Sequence, residues 1–270
     1  MHEYDRLSTP SHPKLLEYYE HALMTRGNTP PELMHRYRSL VGGLLFPAPM
    51  TRPDFLFTAG ILARAMDFGT EELFQCALYG LVFLGQTHED GITYSRHAPN
   101  AEQLVWWSDS DWAVVERSTT GGTGQLAGGS VHAVSRKQDC TSTSSTHAEI
   151  IAASSNSSDV LWCRGLCQEY GLFIDGPTPF YVDAKNVLTL VQNLISTKAT
   201  RHITRRELVI RDREADETLV VMKVHTDDNL ADLLTKPLHA LPYAKLRRGI
   251  MNLLVRLAVS LPVRRSRKGI

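Results

Sequence analysis

The hydrophobic pattern of the chain changes after His88, and this change limits the folds that the chain can adopt. Before it, residues 31–88 carry apolar side chains at helical spacing, in segments that begin near Pro31, Thr51 and Thr70. After it, continuous or alternating apolar runs are bounded by Gly, Asp, Asn and Pro, which is typical of strands. The sequence therefore predicts a small helical unit followed by a sheet.

The second half predicts strands first and then alternating helices and strands. GITYS, QLVWWSD and the glycine-rich residues 117–138 are strand candidates, and five glycines between 121 and 129 indicate a hairpin or close-packed strands. A helix over residues 145–170, ended by Gly171, precedes the strand PFYVD, the helix KNVLTLVQNLI, the strand LVVMKVH and the helix DNLADLLTKPL. This order predicts an α/β fold with a mixed sheet flanked by helices.

The charge of the chain is balanced overall but unevenly distributed. Formal net charge is zero, so overall charge does not indicate a polyanionic partner, yet from Leu233 onward Lys and Arg occur without any Asp or Glu. Four cysteines without a signal peptide favour reduced thiols in the cytosol or nucleus, and Cys163 and Cys167 lack the second pair that a zinc site needs. Since no apolar run reaches the roughly 18 residues of a membrane span, we expect a soluble protein that does not contact a membrane.

Four acidic residues lie at the edges of apolar elements. Asp109 and Asp183 each close a strand, so their carboxylates lie side by side if the strands are neighbours, and Glu149 and Asp232 fall near helix starts. Converging carboxylates raise one another's pKa values unless cations neutralise them, and such oxygen ligands suit magnesium or manganese. Two such ions about 3.5 to 4 Å apart can activate a water and stabilise the leaving oxygen of a phosphodiester.

A series of motifs resembles a known family. SDSDWA, RSTTGG, SRKQ, SSTHAEI, LWCRGL, YVDAKNVLTL, TKATRHITRR and DNLADLLTKPL resemble, in the same order, the ribonuclease H domain that ends the polyprotein of copia-type LTR retrotransposons. Upstream, YRSLVGGLLF and TRPDFLFTAGILARAM resemble the segment between polymerase and ribonuclease H in those polyproteins. The resemblance covers about residues 35–250.

The resemblance implies a ribonuclease-H-like, five-stranded mixed sheet that hydrolyses the RNA strand of an RNA–DNA hybrid with two Mg²⁺ ions, for which Mn²⁺ can substitute. The family's catalytic and metal-binding acids fall on Asp109, Glu149, Asp183 and Asp232 of this sequence. Asp109 is assigned in preference to Asp111 because it directly follows Ser108, as in the family motif. We expect Asp111 to be a turn or supporting residue.

Supporting residues are expected around this site, each with a plainer alternative. Lys185 and Asn186 begin a helix, a place suited to a backbone phosphate, but they can equally be exposed polar residues. His225 is a candidate for proton transfer or product release, although a strand-end histidine without a chemical role is the simpler interpretation. A basic run is expected against the hybrid backbone; it comprises Lys198, Arg201, His202, Arg205 and Arg206.

The domain organisation follows from these segments. We expect a loose lead-in over residues 1–30, a helical remnant of the reverse transcriptase over 31–88, a ribonuclease-H-like domain over 89–238, and a C-terminal helix with a basic tail over 239–270. The first 100 residues contain no Tyr-x-Asp-Asp turn, so DNA synthesis is not expected. The expected partners are an RNA–DNA hybrid and the rest of the polyprotein, in a cytoplasmic retroelement particle or the nucleus, without secretion.

Two other functions compete with an active ribonuclease. The chain can be a catalytically silent retroelement relic that at most binds nucleic acid through its basic segments. An integrase-like strand-transfer enzyme is less favoured, since integrases typically use three acids and LADLLTKPL belongs to the ribonuclease pattern.

Overall fold

The computed structural model describes residues 6–26, 29–99, 101–112, 117–172, 174–192 and 209–253. Within these residues the structure is an α/β fold of helices around one sheet. The helices are α1 Leu15–Thr25, α2 Pro31–Leu45, α3 Pro47–Met50, α4 Leu56–Arg64, α5 Glu71–Gln86, α6 Ser145–Glu169, α7 Lys185–Gln192, α8 Val209–Ala215 and α9 Ala240–Met251, with short 3-10 helices at Pro53–Phe55, Thr226–Asp228 and Leu230–Leu234.

The sheet has five strands in the order β3-β2-β1-β4-β5. Strand β1 pairs antiparallel with β2 and β2 with β3, whereas β1–β4 and β4–β5 are parallel pairs. The strands are β1 Val105–Ser110, β2 Thr119–Leu126, β3 Gly129–Lys137, β4 Thr178–Val182 and β5 Leu219–Lys223. The predicted ribonuclease-H-like mixed sheet of five strands flanked by helices is confirmed.

Alternate residues of β1 face opposite sides of the sheet, and each side has its own core. Trp106 is fully buried in a cluster formed with α6, β4, β5, α7 and α8. Trp107 packs on the other side, against a cluster built from α1 to α5, the 3-10 helix Leu230–Leu234 and α9. The helical half of the sequence therefore covers one face of the sheet and shares its core with the C-terminal elements.

Glycines in β2 let elements approach the sheet closely on both faces. A Cβ at Gly121 would lie 2.8 Å from the carbonyl oxygen of Ala231 in the 3-10 helix Leu230–Leu234, and a Cβ at Gly122 would overlap the amide of Asn156 in α6. Strand β2 is therefore approached closely on both faces of the sheet. The prediction of close-packed strands here is confirmed.

Three sequence expectations about local structure need correction. GITYS is not a strand. The backbone N–H of Thr93 donates to the carbonyl of Met251 and that of Ser95 to the carbonyl of Ala127, and these are isolated hydrogen bonds that do not form a strand ladder. The segment around Asp232 forms a 3-10 helix rather than an α-helix. Part of the expected loose lead-in is helix α1, which buries Leu15 in the core because its apolar residues share one face.

Two further observations concern the class of protein. All four cysteines are free thiols, and Cys163 and Cys167 are buried, as expected. Among the described helices, none is both long enough and apolar enough to cross a membrane.

Candidate metal centre

Asp109 and Asp183 lie side by side because β1 and β4 are parallel neighbours. The register pairs Trp107 with Tyr181, and each acid stands two residues further along its own strand direction. Residues two apart on a strand point to the same face, so both carboxylates leave the same edge of the sheet on the same side. The expectation that these strands are neighbours is confirmed.

Glu149 reaches this edge from the first turns of α6. Ser144 caps that helix, since its hydroxyl accepts a hydrogen bond from the backbone N–H of His147 at 3.2 Å. One carboxylate oxygen each of Asp109, Glu149 and Asp183 lie within 4.8 Å of one another. We call these three residues the acidic triad.

Asp232 stands beside Asp109 but outside the acidic triad. Its Oδ2 lies 2.9 Å from Nζ of Lys236, which is also 3.9 Å from Oδ2 of Asp109. The hydroxyl of Thr235 donates to that same oxygen of Asp109 at 2.5 Å. The four acids expected from the sequence are thus divided into three that converge and one that is paired with a lysine.

Burial and mutual repulsion make the charged forms of these acids costly. Burial, and next the charge of Asp183, raise the pKa of Glu149 to about 8. Burial also raises the pKa of Asp109 well above its usual value, with Glu149 and Asp232 adding to the effect and Lys236 opposing it. The pKa of Asp232 is raised by burial, against the attraction of Lys236. A nearby cation would remove much of this cost.

The donor set fits a hard divalent cation. The acidic triad offers carboxylate oxygens alone, and Asp109 is only 2 % exposed, so water screens its charge poorly. In addition, Oδ1 of the buried Asp232 has no hydrogen-bond partner among the described residues. Residues Asp109, Glu149 and Asp183 would hold such an ion.

Two buried amides hold β1 in position directly before Asp109. Neither amide was predicted from the sequence. Asn156 of α6 donates to the hydroxyl of Ser108 at 2.8 Å and to the carbonyl of Gly121 at 2.9 Å. Asn229 donates to the backbone carbonyl of Ser108 at 3.1 Å. Both amides are completely buried, so Ser108 is held from two sides directly before Asp109. Asn229 stands in the motif DNLADLLTKPL, whereas nothing local in the sequence distinguishes Asn156.

The other expected site residues lie around this centre with different contacts. Asp111 accepts a hydrogen bond from the backbone N–H of Thr119 and is not one of the acidic triad. Lys185 is exposed at the start of α7, and the amide of Asn186 donates to the hydroxyl of Thr146 at 2.8 Å, which links the first turns of α7 and α6.

His225 lies at the same edge of the sheet as Asp183. The backbone N–H of Val224 donates to the carbonyl of Val182 at 2.9 Å, so His225 and Asp183 follow paired residues. Its ring is exposed and accepts a hydrogen bond from the N–H of Asp227 at 3.3 Å. The basic run from Lys198 to Arg206 falls outside the described residues.

Known proteins similar to this chain include polyproteins of plant transposons. The chain is 31% identical over 203 residues to the retrovirus-related Pol polyprotein from transposon TNT 1-94 of Nicotiana tabacum, which covers 74% of this chain and 15% of that polyprotein. It is 32% identical over 205 residues to the corresponding polyprotein from transposon RE1 of Arabidopsis thaliana, covering 75% of this chain and 14% of that one.

A shorter relative matches over most of its own length. Secreted RxLR effector protein 161 of Plasmopara viticola is 32% identical over 129 residues, which cover 47% of this chain and 89% of the effector. No family model and no solved structure matches the chain. The chain is homologous to a segment of the retrovirus-related Pol polyproteins of plant transposons, and it spans about 15% of the length of these curated relatives.

Proposed function

We propose that this chain is the ribonuclease H part of a retroelement polyprotein and that it hydrolyses the RNA strand of RNA–DNA hybrids. The convergence of Asp109, Glu149 and Asp183 at one edge of a ribonuclease-H-like sheet is the observation that carries the proposal. Homology to transposon Pol polyproteins supports a role in retroelement replication.

In this proposal, each part of the site has a distinct task. Asp109, Glu149 and Asp183 would hold Mg²⁺ or Mn²⁺, which would supply Lewis-acid stabilisation of phosphodiester oxygens and an activated water. Asn156 and Asn229 orient the backbone of β1 so that Asp109 is presented at a fixed position. Lys185 and the linked first turns of α6 and α7 receive the sugar–phosphate backbone of the hybrid.

His225 is proposed to accept or release a proton at the mouth of the site. It follows β5 at the sheet edge next to Asp183, and its exposed ring, held through Nδ1 by the N–H of Asp227, leaves Nε2 for a bound substrate. A His225→Ala variant that cleaves the hybrid as fast as the parent, with an unchanged pH profile, would remove this residue from the proposal.

The direct test is cleavage of an end-labelled RNA–DNA hybrid with Mg²⁺, with Asp109→Asn and Asp183→Asn beside the parent chain. We expect cleavage of the RNA strand by the parent and a rate lower by at least about 100-fold in both variants, since each removes a charged ligand. Asp111→Asn is the matched control, because its carboxylate is not one of the acidic triad.

A relic without activity is the competing function, and the same assay separates the two. A parent chain that leaves the hybrid intact at high protein concentration, while it still binds the hybrid, would establish the silent relic. A parent that cleaves single-stranded RNA and hybrid equally would point instead to an unspecific contaminant or nuclease.

A further inference from the structure

We propose that Lys236 is a specificity-determining residue of the candidate metal centre: its ammonium group acts as a fixed cation on the Asp109–Asp232 side, so that the chain by itself binds one divalent ion, at the acidic triad. This inference rests on the proposed function and concerns how many ions the site takes. It differs from the two-ion expectation that the sequence resemblance gives.

The position of Lys236 is the first argument. Its Nζ lies 2.9 Å from Oδ2 of Asp232 and 3.9 Å from Oδ2 of Asp109, between Asp232 and the acid of the triad that stands nearest to it. A divalent ion bridging these two oxygens would have to occupy the same space as the ammonium group. The lysine and a second ion are therefore alternatives at this place.

The backbone around Lys236 holds it there. The backbone N–H groups of Thr235 and Lys236 both donate to the carbonyl of Asp232 at 3.3 Å and so close a turn. This turn brings the side chain of Lys236 to that of Asp232. Thr235 is completely buried and anchors this turn to Asp109 through its hydroxyl. The side chain of Lys236 is 41% exposed, so it is partly enclosed by the residues around it.

The charges of the cluster give the second argument. Four carboxylates carry four negative charges and Lys236 carries one positive charge, so one divalent ion leaves one negative charge, whereas two ions give a net positive site. The ammonium group of Lys236 lies beside the carboxylates of Asp109 and Asp232, which attract its positive charge. The ammonium group of Lys236, 3.9 Å from Oδ2 of Asp109, would strongly repel a second dication bound by that carboxylate on the same side.

Binding of Mn²⁺ to the full chain without nucleic acid tests the inference, measured by titration calorimetry and by electron paramagnetic resonance of free Mn²⁺. We expect one ion for the parent chain, and for Lys236→Met a second ion or an affinity at least about tenfold higher, because the competing charge is gone. Lys236→Arg keeps the charge and should bind one ion. Lys245→Met is the matched control, since Lys245 also pairs with an aspartate, Asp228, but outside the acidic cluster.

The outcomes separate this inference from the proposed function. A parent that binds one ion, with a Lys236→Met variant of the same stoichiometry and affinity, overturns the role of Lys236 and leaves the ribonuclease proposal standing. A parent that binds no divalent ion overturns the metal centre itself. Two ions on the parent overturn the inference directly.

A second measurement uses the unmodified chain and does not depend on any variant folding. An amine-reactive reagent, followed by mass spectrometry, reports the access of solvent to Lys236 with and without Mg²⁺. If Lys236 keeps its place, its labelling stays unchanged or falls when Mg²⁺ binds. A rise of about twofold or more, with Lys245 unchanged, would show that an ion displaces the lysine and would overturn the proposal.

Discussion

Asp109 contacts several of the other side chains of the candidate site. It belongs to the acidic triad, it accepts a hydrogen bond from Thr235, and it faces the ammonium group of Lys236. Its burial to 2 % exposure makes these contacts strong, because little water is present to screen them. A single carboxylate therefore connects β1, the other two acids of the triad, and the two residues that follow the 3-10 helix Leu230–Leu234.

Neutralising Glu149 should stabilise the metal-free chain and weaken its response to Mg²⁺. Burial and Asp183 raise the folded pKa of this residue to about 8, so near pH 7 folding must either bury its charge or take up a proton, and Glu149→Gln removes this cost of about 1 kcal/mol or more. We expect a metal-free melting temperature higher by roughly 2–4 °C and a smaller increase on adding Mg²⁺.

Thermal melts followed by circular dichroism, with and without Mg²⁺, measure both effects. Glu169→Gln is the matched control, because this glutamate is exposed at the end of the same helix α6. A variant at Glu149 that melts lower than the parent without metal and still responds fully to Mg²⁺ would contradict the prediction.

At the scale of elements, strand β2 has close neighbours on both faces of the sheet. The 3-10 helix Leu230–Leu234 contacts one face of the strand at Gly121, and α6 contacts the other face at Gly122. The side-chain amide of Asn156 occupies the space that a Cβ at Gly122 would need. This close approach lets Asn156 reach both Ser108 and the backbone of β2. The glycines of β2 are thus required by packing on both faces.

Gly122→Ala should destabilise the protein by about 2–3 kcal/mol, because the added methyl group displaces the Asn156 amide from its buried hydrogen bonds. Gly165→Ala in α6 is the matched control: nothing lies within 4 Å of its Cβ position, and helix propensity should raise stability by up to about 1 kcal/mol.

Urea unfolding gives both changes as shifts of the transition midpoint. Equal, small shifts of the midpoint for the two variants would mean that a methyl group at position 122 does not meet the Asn156 amide, and would contradict the prediction. Because Asn156 also positions Ser108, the Gly122 variant should lose activity even where it remains folded.

At the scale of the whole molecule, a buried ionic network ties the helical half to the C-terminal helix. Asp54 accepts hydrogen bonds from Arg52 at 2.9 and 2.8 Å and from Arg247 of α9 at 2.7 Å. Arg247 also reaches Asp90 at 3.0 Å, and the hydroxyl of Tyr243 lies 3.2 Å from the carbonyl of Asp54. The network joins parts of the chain that are up to 193 positions apart.

The network predicts an acid-dependent loss of stability. Burial acts to raise the pKa of Asp54, but Arg52 and Arg247 outweigh it and lower the pKa below the unfolded value. The stabilisation is therefore complete above the unfolded pKa of about 4 and is lost as the pH falls through the lower folded value. Asp54→Asn should cost about 3–5 kcal/mol at pH 7 and much less at the acid end.

Unfolding free energies of parent and variant from pH 7 down to pH 3 test this dependence. Asp67→Asn serves as control, since Asp67 is 94% exposed beside Arg38 and should change stability little. A cost of Asp54→Asn that stays constant down to pH 3 would contradict the lowered pKa.

The shared core predicts that the sheet does not fold without the helices. Helices α3, α4 and α9 lie against β3, and α2 and α5 pack in the same core, so a chain beginning at residue 89 would expose much of this core to water. We expect such a truncation to lose near-ultraviolet circular dichroism and to bind hydrophobic dyes. Adding residues 6–88 as a separate chain should restore the signal, and a truncated chain that is folded by itself would refute the dependence.

Local sequence determined most of the elements and the acids that meet. Helical spacing identifies α2, α4 and α5, and alternation and buried runs identify β1, β4 and β5, because periodicity is a property of neighbouring residues. The sequence predicted four converging acids, of which Asp109, Glu149 and Asp183 form the acidic triad. GITYS shows the limit of such patterns: its residues alternate as a strand does, yet among the described residues its backbone makes isolated hydrogen bonds and no strand ladder.

The tertiary structure alone decided which side chains share the site. Thr235 reaches Asp109 across 126 positions and Asn229 reaches Ser108 across 121, contacts for which a local pattern contains no information. The same holds for Lys236, whose place between Asp109 and Asp232 depends on how the 3-10 helix docks against β1. Local periodicity thus set the acids at the sheet edge, and long-range packing set the cation that stands among them.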